Sequence, residues 1–400
     1  MRERKPMRRI LLTHRCSAPM EEARMHIPFS QTPTTVVVFS CRGSTARPRH
    51  ERETQRALAG RLATLLGAQR CVDFGLDRAY TPDAYIVPDD TLPLDVAQRI
   101  GVATDDDLFG GVVPFPFVAT KVVVHELPPR AQLKPPGWHD GLGEQLRHLV
   151  LPGYSAFTRD DALAAAALLW NGGSVRLKRP YGIGGTGQAV VADRHELDMQ
   201  LNDIGEAALE TNGVVLERNL PSITTFSVGD VRVRAHRASY YGVQRLTRNS
   251  RGHAVYGGSD LVVVRGSLDA LERTSMPDEA RAAVKCAREF DAAIESAFPA
   301  FFASRRNYDV ASGIDESGHC HRGVLEQSWR IGGASGAEIG ALQAFVDDPA
   351  LTTVRASTFE TYGEHPELPD GACIVYQGVD SHSGLVTKFY TVETSTGSVG

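Results

Sequence analysis

Two stretches of the chain carry residues whose types and spacing suit phosphate and metal chemistry. The first is SVRLKRPYGIGGTGQAVVAD, from Ser174 to Asp193. Gly182, Gly184, Gly185 and Gly187 crowd one loop, and Lys178 ends the strand-like run before it. Glycines lack a Cβ, so their backbone N–H groups can approach a polyphosphate closely, and a lysine acts as a point charge on phosphate oxygens. The spacing from Gly182 to Gly187 formally matches G-x-G-x-x-G. A dinucleotide fingerprint needs a helix directly after the glycines, whereas Gln188 to Ala192 reads as a β-type run. The Walker A order is absent as well. The loop is therefore expected to join strand to strand and to wrap phosphates there; the bland alternative is a solvated hairpin tip.

The second stretch is NYDVASGIDESGHCHRGVLEQSWR, from Asn307 to Arg330. A hairpin turning on the two residues Ser317 and Gly318 would place Asp309 directly opposite Glu326. Opposed like charges destabilise a strand pair unless a cation lies between them, and two carboxylates plus phosphate oxygens are a common Mg²⁺ environment. Ser328 and Arg330 continue the Glu326 face by alternation, the first offering an oxygen and the second a guanidinium for phosphate or carboxylate. A longer turn would shift this register and leave two unrelated surface acids.

Three other groups compete for attention. His319-Cys320-His321 falls at the expected turn and lacks further zinc ligands at recognisable spacing. The alternating run from Arg232 to Arg237 reads as a solvated strand face, with a carboxylate-binding role in the cleft as the sharper reading. Tyr240, Tyr241, Tyr256 and Gly257-Gly258-Ser259 suit a substrate-side loop or a core and turn role equally.

Elements that could position these groups alternate in kind. TTVVVFS reads as a buried strand, and Leu58, Leu62, Leu65 and Leu66 share a helical face that Gly67 ends. Strand-like DAYIVPDD and helical LDVAQRIG follow, the alternation of a parallel α/β sheet. A Pro- and Gly-rich stretch from Gly110 to Gly141 breaks the rhythm. Beyond it Thr158 and Asp161 form a capping box for a helix that Asn171-Gly-Gly173 stops. Strand-like runs surround a break at Val228-Gly-Asp230, and a helix from about Pro277 to Phe298 is expected, with Ser275 as its cap. The chain closes with a hairpin around Asp380–Gly384.

The chain has 400 residues, a formal net charge of -5 and 42% hydrophobic residues, which suits a multi-domain globular protein without a nucleic-acid or membrane partner. No stretch is apolar enough to span a bilayer. Six cysteines without C-x-x-C spacing point to reduced thiols and a cytoplasmic location. The basic N-terminus lacks a continuous apolar segment, so it does not read as a secretory signal, and residues 1–30 are expected to be poorly ordered.

Together the residues resemble the ATP-grasp superfamily, which includes biotin carboxylase, D-alanine:D-alanine ligase and glutathione synthetase. The likeness spans roughly Gly111 to Gly336 and rests on VRLKRPYGIGGTGQAVV, VVLERNL, YDVASGID and LEQSWRIGG in that order. More closely, the chain looks like an uncharacterised bacterial biotin-carboxylase-like family. The resemblance implies an α/β and α+β chain: a Rossmann-like pre-ATP-grasp domain over 31–120, an ATP-grasp domain over 121–350 and a hairpin extension over 351–400.

It also implies roles. Lys178, with Lys121 as a second lysine, would contact ATP phosphates under the loop from Gly182 to Gly187. Glu217, Arg218 and Leu220 would line the adenine and ribose pocket. Asp309, Glu326 and Ser328 would hold Mg²⁺ or Mn²⁺, and Arg330 would steady the transferred phosphate or the acid. The activity implied is ATP-dependent ligation of a small-molecule carboxylate to an amine or thiol through an acylphosphate; the rival is a regulatory ATP-binding protein. Homo-oligomerisation is left open. Two departures stand out: Ser328 replaces the usual Asn, and the segment after Thr353 matches no standard element. No biotin-accepting lysine motif is present, so carboxylase activity is not implied.

Overall fold

The computed structural model describes residues 32–41, 47–74, 83–182, 187–363, 365–381 and 383–394, so the expected disorder of residues 1–30 concerns positions outside them. The β-branched run forms β1 (Thr35–Phe39), buried from Val36 onward. It is the middle strand of a parallel sheet between β2 (Arg70–Phe74) and β3 (Ala84–Pro88). Helix α1 (Arg49–Leu66) connects β1 to β2 and buries Leu58, Leu62, Leu65 and Leu66. Each fully buried leucine of that stripe contributes about 1.5–3 kcal/mol. Gly67 stops the helix at φ +64°, its N–H turned back to the Ala63 and Thr64 carbonyls. At the other end the residue before α1, Pro48, offers no side-chain cap; the Asp380 carboxylate accepts from the His50 N–H at 3.3 Å.

A short strand β4 (Leu92–Pro93) leads into α2 (Leu94–Arg99) and then β5 (Gly111–Val113). The Pro-rich stretch that follows makes two 3₁₀ turns, Pro116–Ala119 and Lys121–Val124, whose valines are buried in a core shared with the long helix described below.

After α3 (Leu142–Leu146) comes a small antiparallel sheet. Its strands are β6 (Gly153–Ala156), β7 (Val175–Lys178), β8 (Gln188–Val191) and β9 (Val214–Arg218), in the order β6-β9-β7-β8. Helices α4 (Arg159–Leu169), α5 (Arg194–Ile204) and α6 (Glu206–Asn212) supply its apolar cover. Thr158 caps α4 as expected, accepting from the Asp161 N–H. The reciprocal half of the expected box is absent, because the Asp161 carboxylate accepts from the Gln132 N–H instead.

The remaining chain builds an eight-stranded antiparallel sheet. Strands β10 (Ser222–Val233), β11 (His236–Arg248) and β12 (Ala254–Arg265) are followed by α7 (Leu268–Glu272), α8 (Asp278–Ala297) and the two-residue β13 (Phe302–Ala303). Then come β14 (Arg305–Ile314), β15 (Cys320–Ser328), α9 (Ser335–Asp347), β16 (Thr353–Tyr362), β17 (Cys373–Asp380) and β18 (Gly384–Glu393). The spatial order is β15-β14-β10-β11-β12-β16-β18-β17. The closing hairpin is thus no appendage, since β16 joins it to β12 and extends the sheet.

Alternation assigns the two faces. Phe226, Val228, Tyr308 and Val310 face α8, whose Val284, Phe290 and Ile294 complete that core. The opposite face carries Ser227, Asn307 and Asp309; its lower part, with Val231, Tyr240 and Val263, is covered by α9. The part that α9 leaves uncovered becomes the wall of a cleft.

Three expectations need correction here. The break at Val228-Gly-Asp230 does not exist: β10 runs through it, and Gly229 is there because a Cβ would lie 2.3 Å from the Tyr240 ring. The residue before α8 is Pro277, with no side-chain cap, so Ser275 is not its cap. Tyr240, Tyr241, Tyr256 and Gly257-Gly258-Ser259 belong to β11 and β12, so the loop alternative fails and the core alternative holds for the buried Tyr240. Among the described residues no helix is long and apolar enough to cross a membrane.

Candidate functional site

The small sheet and the large sheet share a cleft of about 1150 Å³. From the small sheet, Lys178 stands at the end of β7 with only 2% of its surface exposed. Its ammonium pairs with the Glu217 carboxylate of β9 at 2.5 Å, and Glu217 in turn meets His125 Nε2 at 3.3 Å. Burial alone would raise the Glu217 carboxyl, but the Lys178 charge and the His125 hydrogen bond outweigh it and leave the group below its ordinary value. Glu217 thus orients Lys178 from behind as well as lining the cleft; Arg218 and Leu220 line it too. The glycine segment is followed by β8, which pairs antiparallel with β7, and this strand rejects the dinucleotide reading. At the base of the loop the Arg179 N–H donates to the Gly187 carbonyl at 2.8 Å. Gly184 and Gly185 lie outside the described residues.

Lys121 enters from the second 3₁₀ turn. The Thr120 hydroxyl accepts from the Val122 N–H, and the Gln327 amide donates to the Val118 and Thr120 carbonyls at 2.9 and 2.8 Å, which fixes the turn against β15. The Lys121 ammonium then donates to the Gly182 carbonyl and pairs with Glu326. One side chain therefore ties the glycine segment to the acid strand.

Asp309 and Glu326 are cross-strand partners, as the sequence suggested, but by a different route. The hairpin turns through Glu316, Ser317 and Gly318 between Asp315 and His319, with Gly318 at φ +87°. That loop is one residue longer than expected, and a bulge beside Asp309 restores the register. Burial first, and the Glu326 charge second, push the Asp309 carboxyl up to about 6. Asn307 donates to Asp309 at 3.0 Å from the same strand face, where it sits opposite Ser328.

Behind these acids lies a buried polar network. Arg305 pairs with Glu338 of α9 at 2.7 Å, and the Tyr240 hydroxyl lies 2.5 Å from Glu338 and 2.8 Å from Asn307 Oδ1, donating to one at a time. Arg305 also holds the Ser328 carbonyl at 3.1 Å. Arg330 lines the cleft, its guanidinium donating to the Ile331 carbonyl at 2.8 Å, with Asp90 3.9 Å away.

The competing motifs resolve simply. His321 bonds Asp315 at 2.8 Å and His319 bonds the Ser317 hydroxyl, so both serve the turn. Arg232 pairs with Asp105 and Asp106, and Arg237 with Asp230, away from the cleft. Among the described residues no group of three or more His, Cys, Asp or Glu side chains could hold a metal ion by itself. The opposed pair of acids still fits Mg²⁺, which commonly takes one or two carboxylates and completes its shell with phosphate oxygens and water.

Sequence reasoning missed Asn307, Gln327 and His125. Asn307 was legible by alternation from Asp309, whereas nothing local marks Gln327 or His125, which act on residues distant in sequence.

Comparison with solved structures finds N5-carboxyaminoimidazole synthetase from Staphylococcus aureus complexed with ADP at 12% identity and TM-score 0.50, covering 90% of this chain and 94% of that one. Phosphoribosylamine–glycine ligase from Thermotoga maritima matches at 13% identity and TM-score 0.46, covering 91% and 93%. D-alanyl-alanine synthetase A from Vibrio cholerae matches at 13% and TM-score 0.45, covering 76% and 90%. A search of curated protein sequences returns no significant match. The fold is the ATP-grasp fold with an N-terminal Rossmann-like α/β region. A family model described as a protein of unknown function, DUF3182, matches residues 38–390, and the chain belongs to that family.

Proposed function

We propose that the protein is an ATP-dependent ligase that activates a carboxylate as an acylphosphate and joins it to an amine or thiol. The observation that carries this reading is the convergence of Lys178 and the opposed acids Asp309 and Glu326 on one cleft, with Lys121 paired to Glu326. Its volume of about 1150 Å³ exceeds the roughly 300–1,000 Å³ of a pocket for one drug-sized ligand, which leaves room for nucleotide and acid together.

In this reading Lys178, held by Glu217, and Lys121 neutralise phosphate charge, and the segment from Gly182 to Gly187 covers the triphosphate. Arg218 and Leu220 flank the nucleoside. Asp309 and Glu326, with Ser328 nearby, would hold Mg²⁺ or Mn²⁺, which would supply neutralisation of phosphate charge. Arg330 orients the acid and the phosphoryl group passing to it. The carboxylate oxygen attacks the terminal phosphorus and ADP departs; the nucleophile then attacks the acyl carbon as the C–O bond to phosphate breaks. An amine arriving as its ammonium first gives one proton to solvent, and the departing phosphate carries off the second. The work of the residues is positioning and electrostatics, with no protein nucleophile.

Calorimetric titration of the purified protein with ATP and Mg²⁺ tests this. Binding is expected, with Lys178→Ala weakening it by about tenfold or more, the size of a lost hydrogen bond to a charged group. Absence of Mg²⁺-dependent ATP binding would sink the reading. The rival, a regulatory ATP-binding protein, draws on Ser328 and gains if ATP binds but no acid and amine panel releases phosphate.

A further inference from the structure

Four side chains of the β14–β15 hairpin form a rectangle on the cleft wall. Asp309 stands opposite Glu326 and Asn307 opposite Ser328, the two pairs one strand step apart on the same face, and all four line the cleft. In such a rectangle the Cβ atoms at neighbouring corners lie about 5 Å apart across the strands and about 7 Å along them, so side chains of sufficient length can share one cation. Ser328 is the short corner. Its hydroxyl accepts from Arg305 at 3.4 Å, the same guanidinium that holds its carbonyl, which draws this oxygen toward the buried network. Asn307, 8% exposed, carries its oxygen one bond further from the backbone.

The hydrogen bonds around Asn307 do not close by themselves. The Tyr240 hydroxyl has one proton and two acceptors within reach, Glu338 at 2.5 Å and Asn307 Oδ1 at 2.8 Å. A carboxylate attracts that proton more strongly than an amide carbonyl does. Asn307 Oδ1 then faces the Tyr240 oxygen with no hydrogen between them, and an unmet buried acceptor is costly. Turning the amide over sets Nδ2–H against the Tyr240 oxygen and removes that conflict. It also sets Oδ1 beside the Asp309 carboxylate, to which Nδ2 donates at 3.0 Å in the present orientation. Two oxygens facing each other there repel unless a cation joins them. Asp309 keeps a donor in either orientation, because Gln244 bonds it too.

We infer that Asn307 is a third protein ligand of the divalent cation held by Asp309 and Glu326, its amide turned so that Oδ1 meets the cation and Nδ2 donates to Tyr240. The amide that the family usually supplies from position 328 thus comes from the facing strand, and Ser328 is released to Arg305. The inference rests on the metal and nucleotide roles of the ligase reading and adds a residue which that reading does not use.

Mn²⁺ titration of the full chain, with free Mn²⁺ followed by electron paramagnetic resonance in the presence and absence of ADP, tests it. Asn307→Ser should weaken Mn²⁺ binding by about tenfold or more, the loss that even an outer partner of a metal ligand brings, while ADP affinity in EDTA stays unchanged. Combining Asn307→Ser with Ser328→Asn should recover most of that loss, because the amide then reaches the cation from β15; a residue that merely packs is not rescued from the opposite strand. Where Asn307→Ser lowers the metal-free melting temperature, Tyr240→Phe repeats the test from behind the site: the turned amide lacks its acceptor, and Mn²⁺ affinity should fall by about tenfold. Mn²⁺ affinity indifferent to both single substitutions, a folded double variant no better than Asn307→Ser, or no Mn²⁺ binding under either condition would overturn the proposal. If Mn²⁺ binds and no nucleotide does, the ligase reading falls instead, and the comparison at Asn307 still decides the ligand.

Discussion

Lys178 with Glu217 and Asp309 with Glu326 are two pairs of charged residues on facing walls of one cleft, and they are built on opposite principles. In the small sheet the protein supplies both signs: a lysine, a carboxylate at 2.5 Å and a histidine behind it, all buried. In the large sheet it sets two carboxylates across a strand pair, with one of them leaning on Lys121 from another element. The first pair is complete without a ligand. The second carries a charge debt that only an added cation, or a proton on Asp309, can settle. A wall that balances itself fixes a geometry, and a wall that does not is poised to bind.

Breaking the balanced pair should have the largest effect. Glu217→Gln leaves Lys178 buried beside a neutral amide, and loss of one partner of a buried ion pair costs about 3–5 kcal/mol. Urea unfolding should show that loss, and a change below about 1 kcal/mol would mean that water reaches Lys178. The unbalanced pair should answer in the opposite sense. Asp309→Asn removes a like-charge opposition and should leave the metal-free protein unchanged or up to about 1 kcal/mol more stable, while abolishing stabilisation by Mg²⁺ with ATP. A clear loss of metal-free stability would show that the acids are held by more than Lys121, Asn307 and Gln244.

Ser328→Asn should tighten Mg²⁺-dependent nucleotide binding severalfold, because a longer oxygen donor then reaches toward the acid pair. Indifference in that titration would remove Ser328 from the metal end. The smallest effect concerns the turn that bridges the walls. Asp315 is held well below the usual carboxylate range by hydrogen bonds from Ser317 and His321, and its oxygen lies 3.9 Å from Arg218 of the small sheet. A depressed folded value stabilises fully above the ordinary carboxylate range and is lost as pH falls below it. Acid titration followed by amide exchange should loosen the Asp315–His319 turn below about pH 4, and Asp315→Asn should flatten that dependence.

The sequence carried much of this site because its pattern is local. Lys178, the glycines and the strand after them share one hairpin, and alternation alone places Glu326, Ser328 and Arg330 on one face. The pairing of Asp309 with Glu326 was reached through two offsetting errors: an extra loop residue and a bulge, neither with a strong signature. Gly229 misled because a glycine that makes room for a ring looks the same in sequence as one that makes a turn. The C-terminal strands were illegible for another reason. Their hairpin was plain, but nothing within it says that β16 binds β12, a partner about a hundred residues upstream.

The Asp380 carboxylate caps α1 across a separation of 330 residues. Few contacts demand so long a loop closure, and such closures form late. During synthesis the N-terminal helix therefore waits for its cap until nearly the whole cleft exists. A chain stopped before Asp380 would leave the His50 N–H without this acceptor and the edge of β12 or β16 open, two features that expose unfinished molecules to aggregation and proteolysis. The hydrogen bond at His50 thus forms only in a molecule that has already made β17.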